Sequence, residues 1–263
     1  MPLVEHRDEL DGLPVFWREG ESGGGRPTAL YLHGVPTSSD DWVPFLEAHG
    51  GVAPDLPGFG RTGKPGHFSY DIEGYADWLE RFLAHAGVDE LDLIVHDWGV
   101  VGLALLQRNP ERVRRLVIVN AVPLLEGYRW HWIARVWRRP VIGELAMGFS
   151  SRWALQRLSD LPPDAARAAW EHFDQGTQRA ILRLYRSAPG QVLERAGERL
   201  GDFRGPTLVA WGSRDRFIDS AFADRYGERL PQATVEHLGG AGHWPWLDQP
   251  DLVDRVGAFL RDG

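Results

Sequence analysis

A short apolar segment that ends on a carboxylate and passes directly into a helical pattern is the feature that most constrains this fold. Residues 93–99 (LIVHDWG) have the composition of a buried strand, and residues 100–108 have helical spacing. A strand that turns this sharply into a helix exposes one side chain at the top of a sheet. In the G-x-S-x-G form of this turn that side chain is a serine, but here Asp97 occupies the position and Val95 replaces the first glycine. We therefore interpret Asp97 as a carboxylate nucleophile.

Strand-like and helical segments alternate on both sides of this turn. The strand-like segments are residues 13–17, 28–32, 51–54, 115–119, 207–211 and 234–238, and the helical ones are residues 72–86, 220–229 and 252–260. Alternation of this kind is typical of an α/β fold, in which a mostly parallel sheet is flanked by helices.

The alternation stops between Pro123 and about Phe203, where the sequence becomes helical, amphipathic and rich in aromatic residues. We interpret this segment as a helical cap inserted between two strands. The predicted domains are an α/β core of residues 1–122 and 204–263 and a cap of residues 123–203. Its aromatic side chains either face the active site or form the core of the cap itself.

Composition excludes several classes of protein. The chain has 263 residues, 43% of them hydrophobic, which suffices for one large domain, and its net charge of -8 includes no basic block that could bind nucleic acid. It has no cysteine, so disulfides, thiolate metal sites and cysteine nucleophiles are excluded. Neither a signal peptide nor an apolar segment of membrane-spanning length is visible. We expect a cytoplasmic protein without a nucleic-acid or membrane partner.

Two glycine-rich segments resemble functional motifs without their context. Residues 20–24 (GESGG) satisfy G-x-S-x-G literally, but no helix follows, so we interpret them as a flexible turn. Residues 55–65 (DLPGFGRTGKP) lack the order of a phosphate-binding loop and open no helix directly, so we expect a structured turn there.

Three polar residues follow predicted strands in the order Asp97, Asp215, His243. This is the nucleophile, acid, histidine order of the α/β hydrolase fold. The carboxyl ends of parallel strands lie at one edge of a sheet, where ligands of α/β proteins bind. We therefore predict that these three side chains form a catalytic triad.

A carboxylate nucleophile selects the chemistry. An ordinary aspartate is ionised at neutral pH and needs no base to activate it. Its attack on an ester carbonyl would give an anhydride, whereas displacement at an sp3 carbon gives an alkyl ester of Asp97. This argues against an esterase, lipase or peptidase. His243 would then activate the water that hydrolyses the Asp97 ester, with Asp215 orienting its ring.

The oxyanion formed during that hydrolysis needs hydrogen-bond donors. The fold supplies one from the backbone N–H after the nucleophile, here Trp98, and one from the loop after an earlier strand, here Val35. We expect His33 to brace that loop rather than to take part in the reaction.

The chain resembles α/β hydrolases with an aspartate nucleophile, namely epoxide hydrolases and haloalkane dehalogenases. The segments that carry the resemblance are residues 33–36 (HGVP), 55–60 (DLPGFG), 95–99 (VHDWG), 211–215 (WGSRD) and 242–244 (GHW). The resemblance covers almost the whole chain outside the predicted cap, and the HDWG turn is specific for this pair of families. It does not choose between them.

The leaving group distinguishes the two families. The resemblance implies that dehalogenases hold the halide with the tryptophan after the nucleophile, here Trp98, and with an asparagine where this chain has Val35, or with a cap tryptophan. Epoxide hydrolases protonate the opened ring from cap tyrosines. Arg183-Leu184-Tyr185-Arg186 resembles the segment that carries one of these, so Tyr185 is the proposed proton donor.

Other residues favour a dehalogenase or do not distinguish between the two families. Thr37-Ser38-Ser39 is more similar to dehalogenases, and His131-Trp132 resembles a halide-binding pair of fluoroacetate dehalogenases. Those enzymes carry an arginine at the position of Trp98. The second cap tyrosine of epoxide hydrolases has no clear match, since Tyr128, Trp130 and Trp132 all lie in the region where it is expected.

The sequence therefore favours an epoxide hydrolase that forms a vicinal diol through an aspartyl ester, acting on a small apolar electrophile and water. The alternatives are a haloalkane dehalogenase and a non-catalytic binding protein on a hydrolase scaffold. Neither a cofactor nor a metal is needed for this chemistry, and no metal-ligand cluster is visible in the sequence. Substrate size and oligomeric state do not follow from the sequence.

Overall fold

The computed structural model describes residues 2–21 and 27–261, within which eight strands form one sheet. The strands are β1 (Leu3–Leu10), β2 (Leu13–Gly20), β3 (Thr28–Leu32), β4 (Gly51–Pro54), β5 (Leu91–Asp97), β6 (Val113–Ala121), β7 (Thr207–Gly212) and β8 (Ala233–Leu238). Their order is β1-β2-β4-β3-β5-β6-β7-β8. The pairs from β4 to β8 are parallel, and β2 is antiparallel to both β1 and β4. The predicted mostly parallel sheet is confirmed.

Helices surround this sheet. They are α1 (Val43–His49), α2 (Ile72–His85), α3 (Gly102–Arg108), α4 (Trp132–Trp137), α5 (Ile142–Gly148), α6 (Arg152–Ser159), α7 (Pro163–Glu171), α8 (Gln175–Ser187), α9 (Gly190–Ala196), α10 (Ala221–Arg229), α11 (Pro245–Asp248) and α12 (Leu252–Arg261). No helix in the described ranges is long and apolar enough to cross a bilayer.

The central strand β5 shows why the sheet is covered on both faces. Successive side chains of a strand point to opposite faces. Leu93 and Val95 pack in a core with α2 and α3, whereas Ile94 belongs to a second core with α1 and α12. Every residue of β5 is buried, as expected for a parallel strand between two helical layers. The turn at the end of β5 is therefore held from both sides.

The segment between β6 and β7, which we call the insert, contains α4 to α9 and no strand. Helix α8 is strongly amphipathic and buries Ile181, Leu184 and Tyr185. The Asp174 side chain accepts a hydrogen bond from the Thr177 N–H at 2.9 Å and thereby caps the start of α8. The division into core and cap at residues 123 and 203 stays a prediction.

Two features of the fold were not anticipated. The polar N-terminal segment forms the edge strand β1, whose exposed charged side chains hide its strand character. The helix after β5 begins with a 3-10 turn over Trp98–Val101 before α3 starts. Most of the glycine-rich turn predicted at residues 20–24 lies outside the described residues.

Candidate active site

Asp97 lies at the sharp turn between β5 and the helical segment that follows. Its φ of +45° is in the left-handed region, which only a strongly constrained non-glycine residue adopts. The turn is so tight that two nearby positions have room only for glycine. A Cβ on Gly99 would lie 2.1 Å from the Leu32 carbonyl oxygen, and a Cβ on Gly34 would lie 2.6 Å from Oδ2 of Asp97. The turn brings the Asp97 carboxylate against the loop after β3.

That loop supplies a hydrogen-bond donor to Asp97. The backbone N–H of Val35 donates to Oδ2 of Asp97 at 2.8 Å. Burial raises the pKa of Asp97, while the His243 imidazole and the backbone N–H groups of Val35 and Trp98 oppose this by favouring the ionised form. The two N–H groups predicted to form the oxyanion hole therefore both act on this carboxylate.

His243 lies between the two carboxylates, as the strand-end argument predicts. Its Nε2 is 3.8 Å from Oδ1 of Asp97, and its Nδ1 is 2.8 Å from Oδ2 of Asp215. Burial alone would lower the pKa of His243, but the carboxylates of Asp215 and Asp97 outweigh it, so the pKa lies above its usual value. Asp97 thus presents Oδ1 to the histidine and Oδ2 to Val35.

Asp215 is held by donors on both of its oxygens. The Asn120 side-chain amide donates to Oδ2 at 2.7 Å, and the backbone N–H groups of Phe217 and Ile218 donate to Oδ1 at 2.8 and 3.1 Å. Burial alone would raise the pKa of Asp215, but His243, Asn120 and the Phe217 N–H lower it further than burial raises it. Asp215 is therefore kept as an oriented anion.

Asn120 was not identified from the sequence. It lies one residue before the end of β6, where the register between β5 and β6 shifts, and has a φ of +41°. Its Oδ1 accepts from the Gly212 N–H at 3.0 Å. The rule that found Asp97, Asp215 and His243, a polar residue at the carboxyl end of a strand, would also have selected it. Asn120 thus joins β6 to the loop that carries Asp215.

His33 has both ring nitrogens engaged within the loop region. Its Nε2 accepts from the Leu56 N–H at 2.9 Å, and its Nδ1 lies 2.8 Å from the Gly34 carbonyl oxygen, so the ring is neutral with its proton on Nδ1. Burial lowers the pKa of His33, which agrees with that form. These contacts support the expectation that His33 braces the loop.

The glycine-rich segment after β4 is a structured turn held by a buried carboxylate. Asp55 accepts from the backbone N–H groups of Ser39 and Arg61, each at 2.7 Å. No helix begins between the end of β4 and Ile72. The arrangement supports a structural role for residues 55–65.

A cavity of about 250 Å³ lies between the insert and the strand ends. Asp97, His243 and Val35 line one side of it, and the aromatic residues of the insert line the other. The residues of the insert that line it include Tyr128, Trp130, His131, Trp132, Trp137, Phe149, Phe173 and Tyr185. Several of the aromatics thus face the candidate site as well as each other.

Tyr185 is fixed in this cavity by three indole rings. Its ring centroid is 5.2 Å from that of Trp98, 4.8 Å from that of Trp130 and 5.1 Å from that of Trp137. Burial and the nearby Asp97 carboxylate raise the pKa of Tyr185 well above its usual value, so the phenol keeps its proton. The residue selected from the sequence lines the same cavity as Asp97.

Tyr128 is the second tyrosine in the cavity. Its ring packs against Trp130 at a centroid distance of 5.0 Å. Burial, followed by the charges of Asp97 and Asp215, raises the pKa of Tyr128 well above its usual value. Its hydroxyl is buried and has no hydrogen-bond partner among the described residues. A buried phenol without a partner is available to a ligand.

The tryptophans around the cavity are placed differently from one another. The indole N–H of Trp130 donates to the Ala188 carbonyl oxygen at 2.8 Å and is therefore occupied. Trp132 lines the cavity but is 57% exposed. The buried indole N–H of Trp98 makes no hydrogen bond of normal geometry in the described part of the chain. It is nevertheless close enough to the Tyr185 hydroxyl group to oppose the rise in the pKa of Tyr185.

His131 lines the cavity opposite the triad, with its ring centroid 5.1 Å from that of Phe217. Burial, together with the neighbouring His243, lowers the pKa of His131 to about 4, so its imidazole is neutral at physiological pH. The roles predicted for His131 and Trp132 in leaving-group binding stay predictions.

A further carboxyl group close to the triad escaped the sequence reasoning. Asp41 lies in the 3-10 turn Ser39–Trp42, which follows β3, and its Oδ2 is 2.5 Å from the Thr37 hydroxyl oxygen. Burial raises the pKa of Asp41 to about 8. The hydrogen bond from the Thr37 hydroxyl group opposes this rise, and the negative charge of Asp40 adds to it. Asp41 is therefore largely protonated at neutral pH.

Comparison with known proteins agrees with this architecture. A family model described as alpha/beta hydrolase fold matches residues 27–250. LipZ of Mycobacterium tuberculosis is 30% identical over 271 aligned residues, covering 94% of this chain and 93% of LipZ. A haloalkane dehalogenase of Mesorhizobium japonicum is 28% identical, over 90% of this chain and 84% of that protein.

Solved structures extend the likeness to three dimensions. The haloalkane dehalogenase DbeA from Bradyrhizobium elkani superposes with a TM-score of 0.86 at 25% identity, and the superposition covers 98% of both chains. Because almost all of both chains is covered, the likeness includes the insert as well as the sheet.

Proposed function

The chain belongs to the alpha/beta hydrolase fold family, and on this basis we propose that it is a hydrolase that opens epoxides through an ester of Asp97. The substrate is a small apolar epoxide, and the product is a vicinal diol. The single observation that carries the proposal is that two buried phenols, Tyr128 and Tyr185, line the same cavity as the Asp97 carboxylate.

The first step uses the oxygen of Asp97 that accepts no hydrogen bond from Val35. Oδ2 is bound by the Val35 N–H, so Oδ1 attacks a ring carbon of the epoxide. A carbon–oxygen bond to Oδ1 forms while the carbon–oxygen bond of the ring breaks. The alkoxide that leaves takes its proton from Tyr128 or Tyr185. A phenol of raised pKa stays protonated until this negative charge develops beside it.

The second step returns the enzyme to its starting state. His243 takes a proton from water, whose oxygen attacks Cγ of the Asp97 ester. The negative charge of the tetrahedral intermediate develops on Oδ2, which already lies in hydrogen-bond contact with Val35. The intermediate collapses by breaking the bond from Cγ to the alkyl oxygen, which takes the proton from His243 and leaves as the diol. The second proton of the water remains on the Asp97 carboxyl group, and its release restores the carboxylate and replaces the proton that the tyrosine gave in the first step.

Esterification of Asp97 also prepares His243 for this role. In the free enzyme the negative charges of Asp215 and Asp97 hold the pKa of His243 above its usual value, which disfavours the neutral form that a base requires. The ester is uncharged, so one of those two charges disappears after the first step. The pKa of His243 then falls, and the neutral imidazole becomes available when water must be activated.

Haloalkane dehalogenation is the second candidate, because one halide donor is in place. The buried indole N–H of Trp98 has no hydrogen-bond partner in the described residues, and the relative from Mesorhizobium japonicum is named a haloalkane dehalogenase. A second donor is harder to assign. Val35 has no side-chain N–H, and the Trp130 indole N–H is already bound to Ala188. The Trp244 indole also lines the cavity and makes no hydrogen bond of normal geometry in the described residues, but its N–H acts on the Asp41 carboxyl group. The two phenols therefore support epoxide opening over halide release.

The test separates the two half-reactions in a His243→Phe variant. The first step needs only Asp97 and a proton donor, so an adduct should accumulate when the second step stalls. The variant is incubated with 1,2-epoxyhexane or with 1-bromohexane, and the intact mass of the protein is measured. We expect an increase by the whole mass of the epoxide.

Each alternative has its own result in the same experiment. An adduct with the bromoalkane alone, which adds only the alkyl group, would replace the proposal with dehalogenation. Unmodified protein across a panel of epoxides and haloalkanes would instead favour a binding protein on a hydrolase scaffold. A His243→Phe, Asp97→Asn double variant is the control, since it lacks the attacking carboxylate and should give no adduct.

We further propose that residues 123–203 act as a cap that selects the substrate. The insert contributes most of the apolar lining of the cavity, and the core contributes Asp97, His243 and Val35. Exclusion of water by such a lining strengthens the electrostatic interactions between the reacting groups.

A further inference from the structure

Exposed apolar side chains are concentrated on one part of the insert. Among the described residues nine large hydrophobic side chains are exposed, and only Val4 and Leu247 of these lie outside residues 132–158. We call the other seven the apolar rim: Trp132, Val141, Ile142, Leu145, Phe149, Trp153 and Leu158. Exposed apolar clusters of this kind mark interaction sites, whereas single exposed residues do not.

The rim follows the outer side of α5 and continues onto α6. Ile142, Leu145 and Phe149 follow one another at spacings of three and four residues through α5 and its C-terminal cap, which places them on one side of the helix. Gly143 and Met147, on the opposite side, are buried. Phe149 is 84% exposed and Trp153 at the start of α6 is 73% exposed. The helix thus has one face in the protein and an equally apolar face in solvent.

The rim borders the entrance of the active-site cavity. Trp132, Phe149 and Leu158 belong to the rim and also line the cavity whose other side carries Asp97 and His243. These three side chains therefore belong both to the exposed surface and to the cavity that contains the candidate nucleophile.

The same segment is basic in an acidic protein. Residues 129–159 contain six arginines and one glutamate, a net charge of +5, while the whole chain carries -8. Glu144 is paired with Arg186. Four exposed arginines of α4 to α6 and their connections have no ion-pair partner within the described ranges: Arg135, Arg139, Arg152 and Arg157. Positive charge and apolar surface coincide here.

We propose that the apolar rim binds the surface of an anionic lipid bilayer. Helices that lie in a membrane interface combine Trp, Phe and Leu side chains, which enter the boundary of the acyl chains, with arginines that contact anionic headgroups. This differs from the expectation of no membrane partner, which depended on the lack of a spanning segment. The binding is independent of the proposed reaction, but it would let an apolar substrate reach Asp97 from the bilayer.

A second copy of the chain fits the rim less well. A symmetric dimer through this face would bring two segments of charge +5 together, and like charges at an interface oppose association. A head-to-tail contact would place the rim against a surface where Val4 and Leu247 are the only large exposed apolar side chains of the described residues. An anionic bilayer supplies both negative charge and apolar volume.

The test is co-sedimentation of the full chain with vesicles. Vesicles of phosphatidylcholine and phosphatidylglycerol in equal parts are compared with pure phosphatidylcholine. We expect binding to the anionic vesicles that weakens as salt increases, and at least about tenfold weaker binding to the neutral ones. A Leu145→Ser, Trp153→Ser variant should lose most of the binding, and so should Arg152→Glu, Arg157→Glu. None of these four residues contacts the triad.

The controls separate binding from folding and from self-association. A Val4→Ser, Leu247→Ser variant changes exposed apolar residues outside the rim and should bind like the parent. If the proposed function holds, the rim variants should keep the activity of the parent on a water-soluble epoxide. Far-ultraviolet circular dichroism verifies the fold of these variants independently of activity. The proposal would be overturned by equal binding to both kinds of vesicle or by no binding. It would also be overturned if sedimentation velocity showed a dimer of the parent that is absent in the Leu145→Ser, Trp153→Ser variant.

Discussion

Val35 donates its backbone N–H to Oδ2 of Asp97 at 2.8 Å, although 62 positions separate the two residues in the sequence. This contact makes the two oxygens of one carboxylate unequal. Oδ2 is held where a negative charge can be stabilised, and Oδ1 is left 3.8 Å from the histidine and free to attack. The direction of both proposed half-reactions follows from that inequality.

A single turnover in water labelled with 18O should label the enzyme before the product. Water attacks Cγ of the Asp97 ester, so the first diol carries the unlabelled Oδ1 and one labelled oxygen remains on Asp97. The measurement is the mass of the peptide that contains Asp97, with enzyme in excess over epoxide. Label found only in the diol would mean that water attacks the epoxide directly and would falsify the ester mechanism.

Loss of either cavity phenol should slow epoxide opening. Positioned proton donors contribute about 100- to 10,000-fold, and two phenols can substitute for each other in part. We therefore expect Tyr128→Phe and Tyr185→Phe each to lower the rate of adduct formation about tenfold or more, and the double variant to lower it much further. Rapid acid quenching followed by intact-mass measurement of the protein gives the rate of this step.

Two comparisons make the tyrosine prediction specific. Tyr70→Phe removes a phenol that donates to the Pro65 carbonyl oxygen and does not line the cavity, so its rate should equal that of the parent. If the chain also releases halide from 1-bromohexane, Tyr185→Phe should affect that reaction far less. Equal effects on both substrates would remove the proton-donor assignment.

The pKa of His243 should depend on the charge of Asp97. In the free enzyme the carboxylates of Asp215 and Asp97 raise the pKa of His243 above 6.5 despite its burial. We expect Asp97→Asn, which imitates the uncharged ester, to lower that pKa, and Asp215→Asn to lower it further. Nuclear magnetic resonance of 15N-labelled imidazole measures these values. An unchanged pKa in Asp97→Asn would contradict the proposed timing of base activation.

The rate of adduct hydrolysis should rise with pH through the pKa of His243, because only the neutral imidazole accepts a proton from water. Asp215→Asn should move the rise of the hydrolysis rate to lower pH, because the imidazole of His243 loses a neighbouring negative charge. It should also lower the rate reached at high pH, because the ring is no longer held in its orientation. The rate is measured after rapid removal of excess epoxide. A rate that is independent of pH around neutrality would exclude His243 as the base.

Replacement of Asp41 by asparagine should stabilise the protein at neutral and alkaline pH. The folded-state pKa of Asp41 is raised to about 8, whereas an unfolded aspartate has a pKa near 3.9. The folded protein therefore retains a proton that the unfolded chain releases, and its stability falls as pH rises between these values. An asparagine side chain does not titrate, so we expect Asp41→Asn to raise Tm by about 2–4 °C at pH 8 and to change it little at pH 4. Calorimetry measures both.

The matched control for Asp41 is an exposed carboxylate. Asp164 forms an ion pair with Arg167 on the surface, where its side chain is 91% exposed. Its replacement by asparagine should change Tm by a similar small amount at each pH. A variant of Asp41 whose Tm follows the parent at all pH values would show that this carboxyl group is ionised in the folded protein.

Much of the fold and the triad could be predicted from local sequence. Parallel strands are recognisable as short apolar segments, and topology alone brings their carboxyl ends to one edge. That is why Asp97, Asp215 and His243 could be assigned from strand order. Asn120 obeys the same rule, but asparagine is common at strand ends and nothing in its sequence context separated it from an ordinary turn residue.

The insert could not be predicted to the same depth. Helical spacing located its helices, but each aromatic residue could face the cavity, another helix or solvent. Trp130 gives its indole N–H to Ala188, Tyr128 keeps its hydroxyl free, and Phe149 remains exposed. The edge strand β1 was missed for a related reason, since most of its side chains are not buried and its pattern is dominated by charge.

The sequence by itself determined which residues are proposed as nucleophile, acid and histidine, and the sheet that brings them together. These depend on residue type and on the order of strands, both of which are local properties of the chain. The tertiary structure decided which donors face Asp97, that Oδ2 rather than Oδ1 is held by Val35, and where the apolar side chains of the insert point. Those outcomes depend on how helices distant in sequence pack together, and the periodicity of a single helix does not specify its neighbours.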